Sequence, residues 1–189
     1  GGVNPPLSPS YVATVDRIDF SNETTSAPGN NLPQARGRLA AVSSSSYGYF
    51  GGGANPSYVD TVDRIDFSNE TTSAPGPVLS GVRRSLAAVS SSSYGYFGGG
   101  AVPSPSSPGL TTVNRIDFSN EGTSLPGNNL PDARRGLAAV SSNSYGYFGA
   151  GFSPPYVATV DRIDLSNETT SLLGNSLSQA RYSLAALSN

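Results

Sequence analysis

The chain contains no cysteine, histidine, methionine, tryptophan or lysine. Without cysteine no disulfide forms, and cysteine usage carries no message about redox compartment. Without cysteine and histidine, zinc sites of the usual kind and Cys- or His-based catalysis fall away within this chain. No apolar run approaches the length of a membrane span. Net charge is only −2, so the overall balance leaves no electrostatic footprint for nucleic acid or an anionic membrane. Neither a signal peptide nor an initiator methionine is present, and the expectation is a processed product, a trimmed chain or a fragment.

What is there is glycine (22), proline (15), abundant serine and 13% charged residues, a mix that by itself would suit disorder. Ten tyrosines and seven phenylalanines argue for a packed core instead. All 11 basic residues are arginine. At 189 residues the chain is long enough for one domain with a sizeable interior.

The organising feature is a repeat. The phrase VDRIDFSNETTS at 15–26 returns at 62–73, as VNRIDFSNEGTS at 113–124 and as VDRIDLSNETTS at 160–171, at spacings of 47, 51 and 47 residues. From the last Asp of each R-I-D phrase to Arg36, Arg83, Arg134 or Arg181 is always 17 residues. From the first three of these arginines to the first Tyr of YGYF (Tyr47, Tyr94, Tyr145) is always 11. All variation in period falls in one loop, whose four versions are 11, 7, 11 and 7 residues long. The units run approximately 1–51, 52–98, 99–149 and 150–189 of a single repeat domain.

Each unit reads as short strands. LAAVS is a small apolar run suited to a strand buried on both faces. The serine cluster after it reads as a hairpin turn, and YGYFGG as an aromatic strand stopped by glycine. TVDRIDF is a third strand, ended by a turn at SNE, and TTS is a weak fourth. No segment carries a helical period. Four short strands in about 47 residues is the size of a propeller blade. The expected fold is therefore all-β, a propeller of four blades with about four antiparallel strands each.

These residues resemble the kelch repeat. Arg83, the small strand Leu86-Ala87-Ala88-Val89, Tyr96-Phe97-Gly98-Gly99 and Ile65-Asp66 look like its parts, and the match recurs along the whole chain. One departure is that Thr or Ser stands where the kelch outer strand usually carries Trp, which leaves that strand lightly anchored. The phrase also looks like kelch-like arrays of bacterial and phage surface proteins, which implies an extracellular or virion-surface setting.

Several features carry a functional and a structural reading. The glycine doublets Gly52-Gly53 and Gly99-Gly100 lack the spacing of a phosphate-binding loop, and read as strand ends needing positive φ or close approach to the next blade. Arg17/Asp19, Arg64/Asp66, Arg115/Asp117 and Arg162/Asp164 recur on the third strand; buried charges need partners, so they read as a ladder of interblade ion pairs rather than catalytic carboxylates. Arg36, Arg83, Arg134 and Arg181 are expected at the channel rim, bracing a neighbouring blade through backbone carbonyls. The N-E-T sequences at Asn22, Asn69 and Asn167 match a glycosylation sequon and read more simply as turns. The variable loops are the binding candidates, with Asn4, Tyr11, Asn55, Tyr58 and Tyr156; the third unit has Gly109 in place of the tyrosine.

The expected function is a non-enzymatic binding or scaffold module recognising a glycan or protein through the loop face. The alternatives are a structural spacer without ligand and, third, a glycosidase-like enzyme. No catalytic residues, metal or cofactor are expected, and neither nucleic acid nor membrane insertion. The phase of the repeat leaves three closures open: a piece of a longer array, a four-bladed ring with an imperfect seam, or a homodimer completing an eight-bladed ring.

Overall fold

The computed structural model describes residues 2–4, 10–27, 29–104 and 107–186. These contain strands, turns and bridges, and among them there is no helix. Three four-stranded antiparallel sheets dominate. The N-terminal region holds β1 (Gly2–Asn4) paired with β2 (Ser10–Val12), then β3 (Arg17–Asp19) paired with β4 (Thr24–Ser26). The first complete sheet is β5 (Ala40–Ser43), β6 (Tyr47–Gly51), β9 (Val62–Asp66) and β10 (Thr72–Ser73). A small hairpin, β7 (Ala54–Asn55) and β8 (Ser57–Tyr58), rises between β6 and β9. The second sheet is β11 (Ala87–Ser90), β12 (Tyr94–Gly98), β13 (Val113–Asp117) and β14 (Thr123–Ser124). The third is β15 (Ala138–Ser141), β16 (Tyr145–Gly149), β17 (Val160–Asp164) and β18 (Thr170–Leu172).

The arrangement is all-β and blade-like, with strands in the order read from the sequence. It differs in number: three complete blades and one outer pair, β3–β4, rather than four blades. The reason is phase. Each sheet takes its two inner strands from one sequence unit and its two outer strands from the next, so it straddles the unit boundary. β3 and β4 have no LAAVS and YGYF phrases before them in this chain to pair with. Apolar cores join the first blade to the second and the second to the third, and none among the described residues joins the third to the first, so the sheets are not closed into a ring.

Serine makes the first hairpin of each blade. Ser91 Oγ accepts the Tyr94 N–H at 3.0 Å, and the Ser91 N–H donates to the Tyr94 carbonyl at 2.8 Å. Ser44 and Ser142 repeat the pattern. The hydroxyl completes a tight turn that lets β11 and β12 pair in register, Ala87 opposite Gly98 and Ser90 opposite Gly95.

Two apolar cores lie between facing blades. Val42, Tyr49 and Val62 of the first blade meet Phe97 and Ile116 of the second. Val89, Tyr96 and Val113 of the second meet Phe148 and Ile163 of the third. Alternation along each strand sends one set of side chains to the preceding blade and the other to the following one. The glycines of YGYFG leave room for this: a Cβ on Gly95 would stand 2.5 Å from Val42 Cγ2.

A threonine hydrogen bond anchors each outer strand. Thr123 Oγ1 donates to the Val78 carbonyl at 2.7 Å and Thr170 Oγ1 to the Asn129 carbonyl at 2.5 Å, with Thr72 and Asn31 making the same contact. Each carbonyl belongs to the connector that leads into the blade's own inner strand. The same connectors bond to the preceding blade, Leu79 N–H to the Asp60 carbonyl and Leu130 N–H to the Thr111 carbonyl, both at 2.8 Å. Each connector thus stitches two neighbours together.

Candidate functional site

The arginine that opens each inner strand is a buried strut. Arg36, Arg83 and Arg134 are 0%, 1% and 0% exposed. They lie inside the protein rather than at the channel rim. Arg83 donates its backbone N–H to Val59 and accepts from Gly53 N–H, both in the first blade. Its guanidinium reaches into the second blade, to the carbonyls of Gly99 and Thr112 and to Asn114 Oδ1. Arg134 does the same between the second and third blades, ending on the Ala150 and Thr159 carbonyls and on Asp161 at 2.8 Å. Arg36 meets Asp63 at 2.8 Å. Arg181, at the equivalent position, is exposed.

Burial sets the electrostatics of these struts. Desolvation pushes the Arg83 guanidinium down to about 10, with no carboxylate beside it to offset the loss. It pushes Asp161 up to about 6 despite Arg134, and raises Asp63 for the same reason despite Arg36. These inward-facing aspartates are the residues the sequence reading passed over. Their signal was there: an Asp beside the buried Val of the third strand, replaced by Asn only in the second blade.

The R-I-D arginines make a different joint. Arg17, Arg64 and Arg115 each pair with a glutamate of the following unit: Glu70 at 2.5 Å, Glu121 at 2.6 Å and Glu168 at 2.8 Å. The hydroxyls of Tyr49 and Tyr96 donate to the last two glutamates. The ladder's acids are thus the glutamates of the S-N-E turns, held at φ of 58 to 61°. Asp19, Asp66, Asp117 and Asp164 are not its members. Each accepts the N–H and hydroxyl of the serine two residues on, and those bonds hold its carboxyl below the usual range. The aspartate spends its oxygens on the turn that ends its own strand. Arg64, Arg115 and Arg162 also lie over the rings of Tyr47, Tyr94 and Tyr145, each at 4.7 Å. Asn22, Asn69 and Asn167 are exposed and accept from the threonine two residues on, as turn-formers do.

The glycine doublets close onto these struts. Gly52 has φ of +67°, and a Cβ there would stand 2.7 Å from the Arg83 carbonyl oxygen. Gly109 has φ of +135° and lies so close to the Arg134 backbone that a Cβ would be 2.4 Å from it. A tyrosine has no room at that position, which separates the third loop from those holding Tyr58 and Tyr156.

The residues just after the struts form the mouth of the groove between inner strands. A rung of backbone hydrogen bonds crosses it, from Ser85 N–H to the Arg38 carbonyl, from Gly136 N–H to Ser85 and from Ser183 N–H to Gly136, at 2.7–2.8 Å. Arg38, Ser85, Gly136 and Ser183 all take left-handed backbones to do so. Below the rung, Ala41, Ala88, Ala139 and Ala186 line the groove, small enough for crowded strands. Above it is a cavity of about 310 Å³ lined by Arg38, Arg84, Arg135 and Tyr182 with Ser85 and Ser183.

None of the loop candidates lines the cavity itself, and two of them, Tyr58 and Tyr156, back residues that do. Tyr58 lies under Arg84, whose guanidinium carbon is 4.4 Å from the ring centre. Tyr156 stacks on Tyr182 at 5.0 Å and meets Phe152 edge-on, and Phe152 in turn carries Arg135 at 4.8 Å. Asn55 donates to the Ala35 carbonyl at 2.5 Å, holding the β7–β8 hairpin against the strut segment, and is not in the cavity wall. Tyr11 sits in β2 opposite Val3, also outside it. Asn4 is placed by its backbone alone, opposite Ser10. The sequence reading missed Arg38, Arg84 and Arg135 because attention fell on the invariant arginine rather than on the varying residues after it.

Chemically, the mouth offers cationic donors, hydroxyls and aromatic surface, and no lining residue carries a carboxylate. No group of three or more metal-ligating side chains occurs among the described residues, and no helix is long and apolar enough to cross a membrane. The fold and site define a repeat protein of blade-like antiparallel sheets in a propeller-like arrangement. No protein-family model matches the chain, and no curated protein matches it.

Proposed function

We propose that the chain is a non-enzymatic binding module of the kelch-like propeller type, recognising a glycan or a protein through its loop face. The observation that carries this reading is the gathering of Arg84 on Tyr58 and of Tyr156 on Tyr182 around one open cavity. Rigid tyrosine and arginine surface on loops held by a stiff scaffold is the composition of recognition sites. The buried struts and interblade pairs supply that stiffness.

The test is a glycan array and a panel of purified extracellular proteins, probed with the wild type and with Tyr58→Ala/Tyr156→Ala. Far-UV circular dichroism verifies the fold of both. Binding by the wild type that falls at least tenfold in the variant supports the reading. A wild type that binds nothing points to a structural spacer. Turnover of a glycoside would replace the reading with an enzymatic one.

A further inference from the structure

The mouth holds three arginines with no carboxylate partner. Elsewhere in the molecule Arg17, Arg36, Arg64, Arg115 and Arg134 are ion-paired, while Arg83, Arg162 and Arg181 make no ion pair among the described residues and lie apart from one another in successive blades. Arg38, Arg84 and Arg135 make no ion pair among the described residues, yet they converge on one cavity. Three like charges placed together repel, and net charge here is −2, so the cluster runs against the balance of the whole chain. A local field of this kind concentrates anions.

Two of the three are already oriented. Stacking on Tyr58 and Phe152 fixes the planes of Arg84 and Arg135 without using their N–H donors. A guanidinium so held retains its forked donor edge for a planar oxyanion, and less freedom is lost on binding. Arg38 is held at φ of +61°, as is Ser85 at +56° one blade further on and Gly136 at +63° two blades on.

The shape narrows the ligand. A cavity of about 310 Å³ is at the small end of ligand sites and suits a compact ring rather than an extended chain. Tyr182 in its wall, backed by Tyr156, offers an aromatic surface for the C–H face of such a ring. Ser85 and Ser183 add hydroxyls at the same edge.

We infer that the cavity is a subsite for an acidic saccharide, with the sugar carboxylate gripped by Arg84, Arg135 and Arg38 and the sugar ring set against Tyr182. This rests on the loop face being a binding surface and adds the class of ligand.

The experiment is isothermal titration of the whole chain with sialyllactose and with tri-galacturonate, against lactose and galactose, in 150 mM salt. The probes for competition are a short poly-glutamate peptide and inorganic sulfate. Acidic sugars should bind and neutral ones should not. Arg84→Gln/Arg135→Gln should weaken the acidic sugar roughly 10- to 100-fold, the range for loss of charged hydrogen bonds. Arg38→Gly, which keeps the backbone conformation Gly136 already shows, should weaken it roughly tenfold while melting like the wild type. Equal binding of acidic and neutral sugars would overturn the inference, as would acidic-sugar binding that survives both variants. So would a peptide or sulfate that binds more tightly than the sugar. Neutral glycan binding lost in Tyr58→Ala/Tyr156→Ala, yet kept in the arginine variants, would sink the acidic subsite and leave the binding module standing.

Discussion

Arg134 and Asp161 meet at 2.8 Å with neither side chain reaching solvent, while one blade earlier Arg83 meets Asn114 in the same place. The fold therefore accepts a neutral amide where the neighbouring blade has a carboxylate. Both acceptors answer the same terminal nitrogen, and backbone carbonyls accept from the other one.

Asp161→Asn is expected to change stability by less than about 1 kcal/mol, since it copies the second blade's arrangement. Asp161→Ala removes the acceptor and leaves a buried cation short of a partner, which costs about 3–5 kcal/mol. Urea unfolding followed by tyrosine fluorescence distinguishes the two. Equal losses in both variants would show that the charge, not the acceptor, is what Arg134 needs.

The same residue sets a pH dependence. Its folded value is about 6, above the ordinary 3.8, because burial disfavours the carboxylate. The folded state thus binds the proton more tightly than the unfolded one. That contribution is fully present below about pH 4 and is lost as pH rises to about 6. Asp63 is raised and acts in the same direction. The turn carboxylates Asp19, Asp66, Asp117 and Asp164 are lowered, so their contribution is lost as pH falls below the ordinary value. Melting temperature should peak near about pH 4 and decline towards 6. Asp161→Asn should flatten that decline, and an unchanged slope would contradict the assignment.

Gly98 and Gly149 occupy the same place in YGYFG and should differ sharply. A Cβ on Gly98 would be 2.7 Å from the Phe148 ring, while one on Gly149 meets nothing nearer than 3.6 Å. Gly98→Ala overpacks an interblade core and should cost about 1–3 kcal/mol. Gly149→Ala should be close to neutral. The comparison reads whether blade packing, rather than strand propensity, keeps these glycines.

The Arg115–Glu168 joint is partly solvent-exposed, at 28% and 19%. A double-mutant cycle with Arg115→Gln and Glu168→Gln should give a coupling of about 0.2–1 kcal/mol, falling in high salt. Tyr96→Phe should add a further loss of about 1 kcal/mol, because its hydroxyl donates to the same glutamate at 3.0 Å. A coupling that salt leaves unchanged would mean the pair is not screened as its exposure implies.

The strand order, the serine hairpin and the all-β class were readable from spacing alone. They depend on contacts within one unit, such as Ser91 with Tyr94 or Ala87 with Gly98, and local periodicity encodes such contacts. The same spacing marked every R-I-D arginine as a recurring charge. It did not say which acid answers it. Asp66 is two residues from Arg64, but Glu121, 57 residues away, is the partner, because the next blade brings it there.

The sequence by itself determined the repeat, the four-strand unit and the loop where variation is allowed. Only the tertiary structure decided that the invariant arginines are buried and that Arg38, Arg84 and Arg135 share one mouth. Those arginines stand 46 and 51 residues apart along the chain. Nothing local joins them. They meet because the connectors stitch successive blades side by side, and a rung of backbone hydrogen bonds then draws the starts of the inner strands together.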